Sequence, residues 1–445
     1  MATHWTQPEP GWTQPEAGFW APNRNTVDAS FAMSPVVYAD ESFFAAEQER
    51  LFGRAWVCVA LAAELARPGR LLVRSIGGRS VLLTRTDDGL VGFLNSCRHR
   101  GTELAEADCD VTQTIRCPYH RWHYSVDGRL VATPLFDSVP RDDFDPADFG
   151  LVPVRVDSWG PLVFACLDAD TPPLAQWLGD LDERMTGYRF DEWEPTTRSP
   201  ADCTFGPAAN WKLIVENFAE YYHLAWVHPE LAKVSRVENH YRYQGPGMYC
   251  GQTTTPISGD ERDDWLTLRA ADGLDASDAV SGRFIALFPN ALIALLPNHA
   301  FLMRLEPVSA GRTIEHCSFV FPPGTRPASD EEGAQQFAEA FETTRRFWLD
   351  VNDEDIDICE RAQRGIARGG APPGPLAPRF EEPLNRFHKM TADLMTLETV
   401  ADLAVPAGDR PGGIDLYGNE PNPMPPAAEV AAASSAPEAP ATATS

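Results

Sequence analysis

The sequence predicts an α+β protein in which a compact antiparallel β domain precedes a domain that mixes helices with antiparallel strands. Three observations lead to this prediction. Short apolar runs alternate with turn-forming residues between positions 54 and 168. A helical pattern follows from Asn210 to Leu231, and strand patterns return from Phe284 to Phe321. A final stretch, 331–366, has the length and pattern of a long helix.

The same patterns divide the chain into five parts. Residues 1–25 repeat the motif WTQPE only twice, too few copies for a stacked repeat, and are expected to form a flexible tail. Residues 26–53 are expected to be a helical segment that packs on the second domain. The β domain covers 54–168, with hairpin turns at its two Asp-Gly sites, and the mixed domain covers 169–404. Residues 405–445 are rich in Pro, Ala and Ser, which predicts disorder.

Composition excludes several classes of protein. The net charge is −27 over 445 residues, which disfavours nucleic acid as a partner because phosphate binding requires clustered Lys and Arg. No apolar run approaches the roughly 20 residues that span a bilayer, and the N-terminal stretch does not resemble a signal peptide. Nine scattered cysteines fit a reducing compartment. We therefore expect a cytoplasmic protein that does not enter a membrane.

Two mixed Cys/His pairs predict a first metal site. They are Cys97 with His99, and Cys117 with His120, on two predicted loops of the β domain. Two cysteines and two histidines fit either a structural zinc or a Rieske-type [2Fe-2S] cluster. Zinc sites usually pair like residues at wider spacing, so the spacing favours the cluster.

The residues around these pairs, C-x-H-R-G and C-P-Y-H-x-W-x-Y-x-x-x-G-x-L, resemble the Rieske domain of the Rieske non-haem iron oxygenases. The resemblance implies that the two cysteines bind one iron and the two histidines bind the other. The chain departs from the family at Arg121, where glycine is usual. Tyr119 stands where respiratory Rieske proteins have a cysteine for a disulfide, so Cys109 is expected to be an ordinary thiol.

A second metal site is predicted about a hundred residues later. Glu216, Glu220 and His223 are spaced to share one face of a helix. His228 would lie about 140° from His223 on a continuous helix, so the helix must end or distort if both bind one ion. Pro229 favours such an end. Two histidines and a carboxylate can bind Fe(II) or zinc.

This stretch resembles the catalytic motif of the same family, [ED]-N-x2-[DE]-x2-H-x4-H, and the resemblance covers roughly residues 52–366. It implies that His223 and His228 are ligands of a mononuclear Fe(II), with Asn217 and Glu220 in the catalytic motif. The later acidic stretch offers several carboxylates, and the family pattern E-D-x5-[VA]-Q-x-G selects Asp355. The other acids there, Glu354 included, are expected on a solvated helix face.

Glu220 stands where most of the family has Asp. The resemblance implies that this carboxylate connects an iron ligand of one subunit to a Rieske histidine of its neighbour in a homotrimer. A glutamate here resembles the subgroup that oxidises quaternary ammonium compounds, although it is equally compatible with neutral variation.

The resemblance implies a terminal oxygenase with a helix-grip catalytic domain. Electrons would come from a flavin and iron-sulfur reductase or a ferredoxin, since the chain has no dinucleotide-binding fingerprint of its own. We expect a small substrate such as betaine, choline or carnitine, with Tyr221, Tyr222 and Trp226 as candidate aromatic contacts. An aromatic ring dioxygenase, an aromatic acid monooxygenase or demethylase, an electron-transfer protein and a zinc-stabilised binding module are the alternatives.

Overall fold

The structure is a computed structural model that describes residues 18–136, 143–195, 203–254, 268–325, 331–369 and 372–400. They form two compact units. The first comprises Asp40–Trp177 and a later stretch that begins at Thr391. The second comprises Leu178–Met390 and an earlier stretch that ends at Ala39. The predicted N-terminal segment 26–53 is thus divided between the two units at residue 40. The predicted tail 405–445 lies outside the described residues.

The first unit is built from short antiparallel strands, which we number in chain order: β1 Val57–Leu61, β2 Arg70–Ile76, β3 Arg79–Thr86, β4 Gly89–Leu94, β5 Cys109–Asp110, β6 Thr114–Arg116, β7 His123–Ser125, β8 Leu130–Ala132, β9 Pro153–Trp159 and β10 Leu162–Cys166. The main sheet has the order β1-β10-β9-β4-β3-β2-β5, and β6, β7 and β8 form a small second sheet. Both predicted Asp-Gly turns connect neighbouring strands. A core that includes Leu71, Phe93, Trp122 and Tyr124 lies beneath the loops that carry the first Cys/His pairs.

The second unit contains a longer antiparallel sheet, with the strands β11 Glu194–Pro195, β12 Thr204–Phe205, β13 His240–Arg242, β14 Tyr249–Thr254, β15 Gly282–Leu287, β16 Ala291–Leu295, β17 Ala300–Ser309 and β18 Arg312–Phe321. Its order is β11-β18-β17-β16-β15-β14-β13, with β12 also paired to β18. The central strand β16 is buried along its whole length, which explains why its sequence is a continuous apolar run.

The helices are α1 Val36–Ala39, α2 Glu41–Glu47, α3 Leu174–Leu178, α4 Leu181–Arg184, α5 Trp211–Ala219, α6 Leu224–Val227, α7 Leu231–Val234, α8 Glu331–Ala367 and α9 Glu382–Thr396. Helix α5 begins where the Asn210 side chain accepts a hydrogen bond from the Lys212 amide. It packs against β14, β15 and β17 on one side and against α8 on the other. Helix α5 therefore lies between the sheet and α8, and the predicted α+β fold is confirmed.

Two details differ from the sequence-based expectations. Within the expected flexible tail, residues 18–25 include a short 3-10 helix, Ala21–Asn23. Trp20 and Asn23 are buried there, and the Asn23 amide donates to the Phe31 carbonyl over 2.8 Å, so this stretch is an ordered part of the second unit. The predicted helix Asn210–Leu231 is interrupted after Ala219.

In the described part of the chain, no helix is both long and apolar enough to cross a membrane.

The contact between β14 and β15 tolerates no side chain at Gly251. A Cβ atom there would lie 1.9 Å from the Phe284 carbonyl oxygen. Gly251→Ala is expected to lower the free energy of unfolding by about 3 kcal/mol or more, because backbone must move to relieve the clash. Urea unfolding followed by circular dichroism measures this change.

The matched control is Gly273→Ala. Gly273 also has a positive φ, 91°, but its nearest neighbour would be 4.0 Å from the new Cβ. We expect a loss of about 1 to 2 kcal/mol from the backbone conformation alone. Equal losses for the two variants would contradict the close approach of β14 to β15.

Candidate functional site

The first Cys/His cluster lies on two loops of the first unit, one after β4 and one between β6 and β7. Cys97 and Cys117 are buried, whereas His120 is exposed and His99 is half-buried. The Nδ1 atoms of the two histidines are 3.2 Å apart. Two buried sulfurs beside two adjacent imidazole nitrogens are a donor set that fits a Rieske cluster.

The two loops close in the same way. The Gly101 amide donates to the Cys97 carbonyl over 2.9 Å, and the Arg121 amide donates to the Cys117 carbonyl over 3.2 Å. Both residues stand four positions after their cysteine, and both have positive φ, 73° and 59°. Glycine adopts this conformation at the lowest cost, which gives a physical reason for the glycine usual in the family. Arg121 adopts it with its side chain exposed, and the loop keeps its closing hydrogen bond.

Aromatic side chains support the cluster. The Tyr124 hydroxyl lies 3.3 Å from the Cys97 sulfur and accepts a hydrogen bond from the Arg98 amide over 3.0 Å. The His99 ring stacks on Trp122, with centroids 4.8 Å apart. Burial raises the pKa of the Cys97 thiol. A thiolate at this position therefore requires a compensating positive charge, as a bound iron would provide.

The second cluster lies in the second unit, where α5 stops earlier than its sequence pattern suggests. Glu220 follows the helix in an extended conformation, with φ −111° and ψ 168°. Its carboxylate accepts a hydrogen bond from the Tyr222 amide, and its carbonyl accepts one from the Gln252 side chain over 2.8 Å. The prediction that Glu220 and His223 share one helix face is therefore wrong, because both lie beyond the end of α5.

This early end brings two histidines to one point. His223 precedes the short helix α6 and His228 follows it. The His228 Nε2 atom lies 2.8 Å from an Asp355 oxygen on α8, and the His223 Nε2 atom lies 3.7 Å from the same oxygen. One ligand atom from each of the three residues lies within 4.8 Å of the others. Two nitrogens and one carboxylate oxygen at this spacing fit one Fe(II) and leave other coordination positions open.

Each imidazole is anchored through its other nitrogen by a carboxylate. His223 Nδ1 bonds to Glu220, and His228 Nδ1 lies 2.7 Å from Glu354. Glu354 is 44% exposed, so it lies on the solvated helix face that was predicted, and its contact with His228 is an additional feature that the sequence did not predict. Its neighbour Asp357 fits the prediction, pairing over 2.7 Å with Arg361 among exposed side chains.

The carboxylates dominate the electrostatics of both histidines. Burial alone would lower the pKa of His223 and of His228. The hydrogen bond and charge of Glu220 outweigh burial at His223, and those of Asp355 and Glu354 outweigh it at His228. The pKa of each imidazole is consequently raised.

A cavity that opens to solvent lies beside this cluster. Its lining includes His223, His228 and Asp355, together with Asn217 and the aromatic residues Phe218, Phe284, Phe301 and Trp348. The three aromatic candidates from the sequence do not line it. Tyr221 is buried against His240, Tyr222 stacks on Phe380, and Trp226 is 82% exposed. Proximity in sequence was an incomplete guide here, because Phe218 lies close to the ligands on α5 but the other lining aromatics come from β15, β17 and α8.

Comparisons with known proteins agree with this geometry. Residues 55–142 match the family model of the Rieske [2Fe-2S] domain, and residues 190–397 match that of the ring hydroxylating alpha subunit, catalytic domain. The chain is similar to the carnitine monooxygenase oxygenase subunit of Escherichia coli K12. The two are 32% identical over 347 residues, which cover 75% of this chain and 83% of the relative. The chain belongs to the Rieske non-haem iron oxygenases.

Other relatives lie in the same family. A glycine betaine monooxygenase oxygenase subunit from Pseudomonas aeruginosa (strain UCBPP-PA14) is 27% identical over 387 residues, 80% of this chain and 86% of the relative. The solved structure of a quaternary ammonium Rieske monooxygenase shares the fold, with a TM-score of 0.68 and 23% identity over 86% of this chain and all of that one. As a Rieske oxygenase, the protein uses a Rieske [2Fe-2S] cluster and a mononuclear iron.

The hydrogen bond from Tyr124 to Cys97 generates a prediction about the cluster of this Rieske oxygenase. Tyr124→Phe is expected to lower its reduction potential by on the order of 20 to 60 mV. The reason is that a hydrogen bond to sulfur stabilises the more negative, reduced form. A redox titration followed by electron paramagnetic resonance measures the shift. Tyr119→Phe is the control, because it removes a hydroxyl that contacts Arg100, over 3.5 Å, instead of the Cys97 sulfur. Equal potentials in wild type and Tyr124→Phe would contradict the assignment.

The anchoring of His228 generates a second prediction. Glu354→Ala is expected to raise the dissociation constant for Fe(II) by about 10- to 100-fold, because the imidazole loses the acceptor that orients it. Glu354→Gln retains an acceptor oxygen and should lose less. Competition with a chromophoric chelator measures the affinity. Asp357→Ala is the control, because it removes a carboxylate of the same helix that pairs with Arg361 rather than with a histidine. This variant should bind iron with the affinity of the wild type. If Glu354→Ala also binds iron normally, the anchoring role is excluded.

Proposed function

We propose that this chain is the terminal oxygenase of a multicomponent system that hydroxylates an N-methyl group of a quaternary ammonium compound. One observation carries the proposal: the cavity beside the His223, His228 and Asp355 cluster combines aromatic rings with carboxylates. Methylated cations bind to such surroundings because aromatic faces and carboxylates both attract positive charge. The relatives named for carnitine and glycine betaine act on compounds of this class.

In this proposal Cys97 and Cys117 bind one iron of the Rieske cluster, and His99 and His120 bind the other. His223, His228 and Asp355 bind the mononuclear iron. When bound, the two centres supply electrons and a site for dioxygen activation. The overall reaction consumes one dioxygen, two electrons and two protons, converts one C–H bond to C–OH, and releases water.

The residues around these ligands have separate tasks. Glu220 and Glu354 orient the imidazoles, and Asn217 contributes a polar amide to the cavity wall. The apolar part of the lining, which includes Leu224, Leu231 and Met303, limits the access of water to the reacting carbon.

The chain also requires partners in this proposal. Electrons come from a separate reductase or ferredoxin, because each turnover needs two electrons from outside the chain. Glu220 lies beyond the end of α5, beside exposed Tyr222 and Trp226, which supports a role for it at a contact with another subunit. We infer a homotrimer that works in the cytoplasm, in which electrons pass from the Rieske cluster of one subunit to the mononuclear iron of the next.

A second candidate substrate class is supported by the same lining. Phe218, Phe284, Phe301 and Trp348 would also accommodate a neutral aromatic ring, and naphthalene dioxygenase shares the fold with a TM-score of 0.65. The carboxylates of Glu220 and Asp355 are the feature that favours a cation over a neutral ring.

A substrate panel with a surrogate reductase tests the proposal. Choline, glycine betaine and carnitine are compared with benzoate and naphthalene, and both oxygen uptake and product are measured. We expect oxygen uptake coupled to product for at least one trimethylammonium compound. Asp355→Ala should abolish product formation while the reduced-cluster resonance signal remains, because only the mononuclear site is affected. Turnover of aromatic compounds alone would refute the assigned substrate class, and no substrate-coupled uptake would support a pure electron-transfer protein.

A further inference from the structure

One side of the cavity is an aromatic wall formed by Phe218, Phe284, Phe301 and Trp348. Trp348 lies nearly parallel to Phe301, with ring centroids 5.6 Å apart and an interplanar angle of 16°. Its centroid is 6.2 Å from that of Phe284, which in turn lies 6.1 Å from that of Phe218. The rings therefore form a continuous surface contributed by α5, β15, β17 and α8.

Helix α8 connects this wall to the metal site. Trp348, Val351, Asn352 and Asp355 recur at intervals of three and four residues, so they lie on one face of the helix and all line the cavity. Trp348 and Asp355 are seven residues apart, about 10 Å along the axis. A methylated cation within about 6 Å of the indole ring can thus extend its methyl groups toward the end of the cavity that Asp355 lines.

The orientation of Trp348 is determined by a buried chain of hydrogen bonds. The indole Nε1–H donates to His299 Nε2 over 2.7 Å. His299 Nδ1–H donates to the Asn298 side-chain oxygen over 2.8 Å, and the Asn298 amide donates to the Leu268 carbonyl over 3.2 Å. An indole N–H can only donate, so it requires the unprotonated His299 nitrogen that it faces.

His299 is suited to this role because it remains neutral. Its side chain is fully buried, and burial lowers its pKa to about 3. Nε2 is consequently an acceptor throughout the working pH range. The hydrogen bonds of His299 and Asn298 satisfy these buried polar groups and fix one orientation of the indole ring.

We propose that the aromatic wall binds the methylated ammonium group of the substrate, with Trp348 as the decisive ring, and that His299 is the positioning residue that orients it. Tryptophan is the strongest of the aromatic residues for binding a cation, and the charged groups that share this lining include the carboxylates of Glu220 and Asp355. This inference rests on the proposed function and specifies how that function selects its substrate.

Binding by the iron-loaded holoenzyme without oxygen tests the wall directly. Calorimetry compares choline with its neutral isostere, in which a tert-butyl group replaces the trimethylammonium group. Glycine betaine and its tert-butyl isostere form a second pair. The two members of a pair have nearly the same shape, so the ratio of their affinities isolates the effect of the charge.

Wild type is expected to prefer the ammonium compound by about tenfold or more. Trp348→Phe should retain most of this preference, because a ring remains, whereas Trp348→Leu should reduce it to about twofold or less. In turnover, Trp348→Leu should raise KM more than it lowers kcat. An unchanged preference in Trp348→Leu would overturn the inference.

His299→Gln and His299→Met form the matched pair for the positioning role. The two side chains are similar in length, but only glutamine offers an oxygen that can accept the indole N–H. Glutamine should preserve the preference for ammonium and methionine should reduce it severalfold, whereas equal preferences would overturn the role of His299. If His299→Met does not fold, the pair of Trp348 variants still decides whether the wall binds the cation.

Failure of the inference is distinguishable from failure of the proposed function. The wild-type protein could oxidise a trimethylammonium compound without binding it more tightly than the neutral isostere. That result would support the proposed function and refute the proposal that the aromatic wall binds the ammonium group. Wild type that neither binds nor oxidises any such compound refutes the proposed substrate class, and the inference falls with it.

Discussion

The mononuclear site depends on the end of helix α5 at Ala219. On a continuous helix, His223 and His228 would point about 140° apart and could not approach the same ion. Glu220 prevents continuation, because its carboxylate accepts the Tyr222 amide while its carbonyl is held by Gln252 on β14. The chain then turns through α6, and both imidazoles reach Asp355. A strand of the sheet thus helps to determine where the helix stops, and hence where the metal ligands meet.

The charges of the site are consistent with this arrangement. Asp355, Glu220 and Glu354 surround two imidazoles in a partly buried space. The mostly buried carboxylates of Glu220 and Asp355 are unfavourable to bury without a compensating cation. A divalent iron bound there would supply that charge, and Glu220 and Glu354 would orient the imidazole N–H groups that the iron leaves free.

Local patterns in the sequence were sufficient for the strands, the long helix α8 and the two Cys/His pairs, whereas the grouping of His223 and His228 with Asp355 came from the resemblance to the family. Local patterns were insufficient where tertiary contacts decide. Glu354 looks like any exposed acid on α8, and only the path of the chain after α5 brings His228 to it. The aromatic wall combines residues that are far apart in sequence, whereas Tyr221, next to the ligands, packs away against His240. Trp20 likewise becomes buried through distant packing.

At Arg121 the residue differs from the family's glycine, but the backbone conformation of the loop is the one that glycine favours. The ligand spacings of the two loops differ, yet each loop closes on its cysteine with an amide four residues later and a positive φ. Replacing glycine there costs about 1 to 2 kcal/mol in backbone energy, but it leaves the closing hydrogen bond in place. Arg121 therefore changes the exposed surface rather than the ligand geometry. With exposed Arg98 and Arg100 it surrounds the cluster with positive charge, although the chain as a whole carries −27.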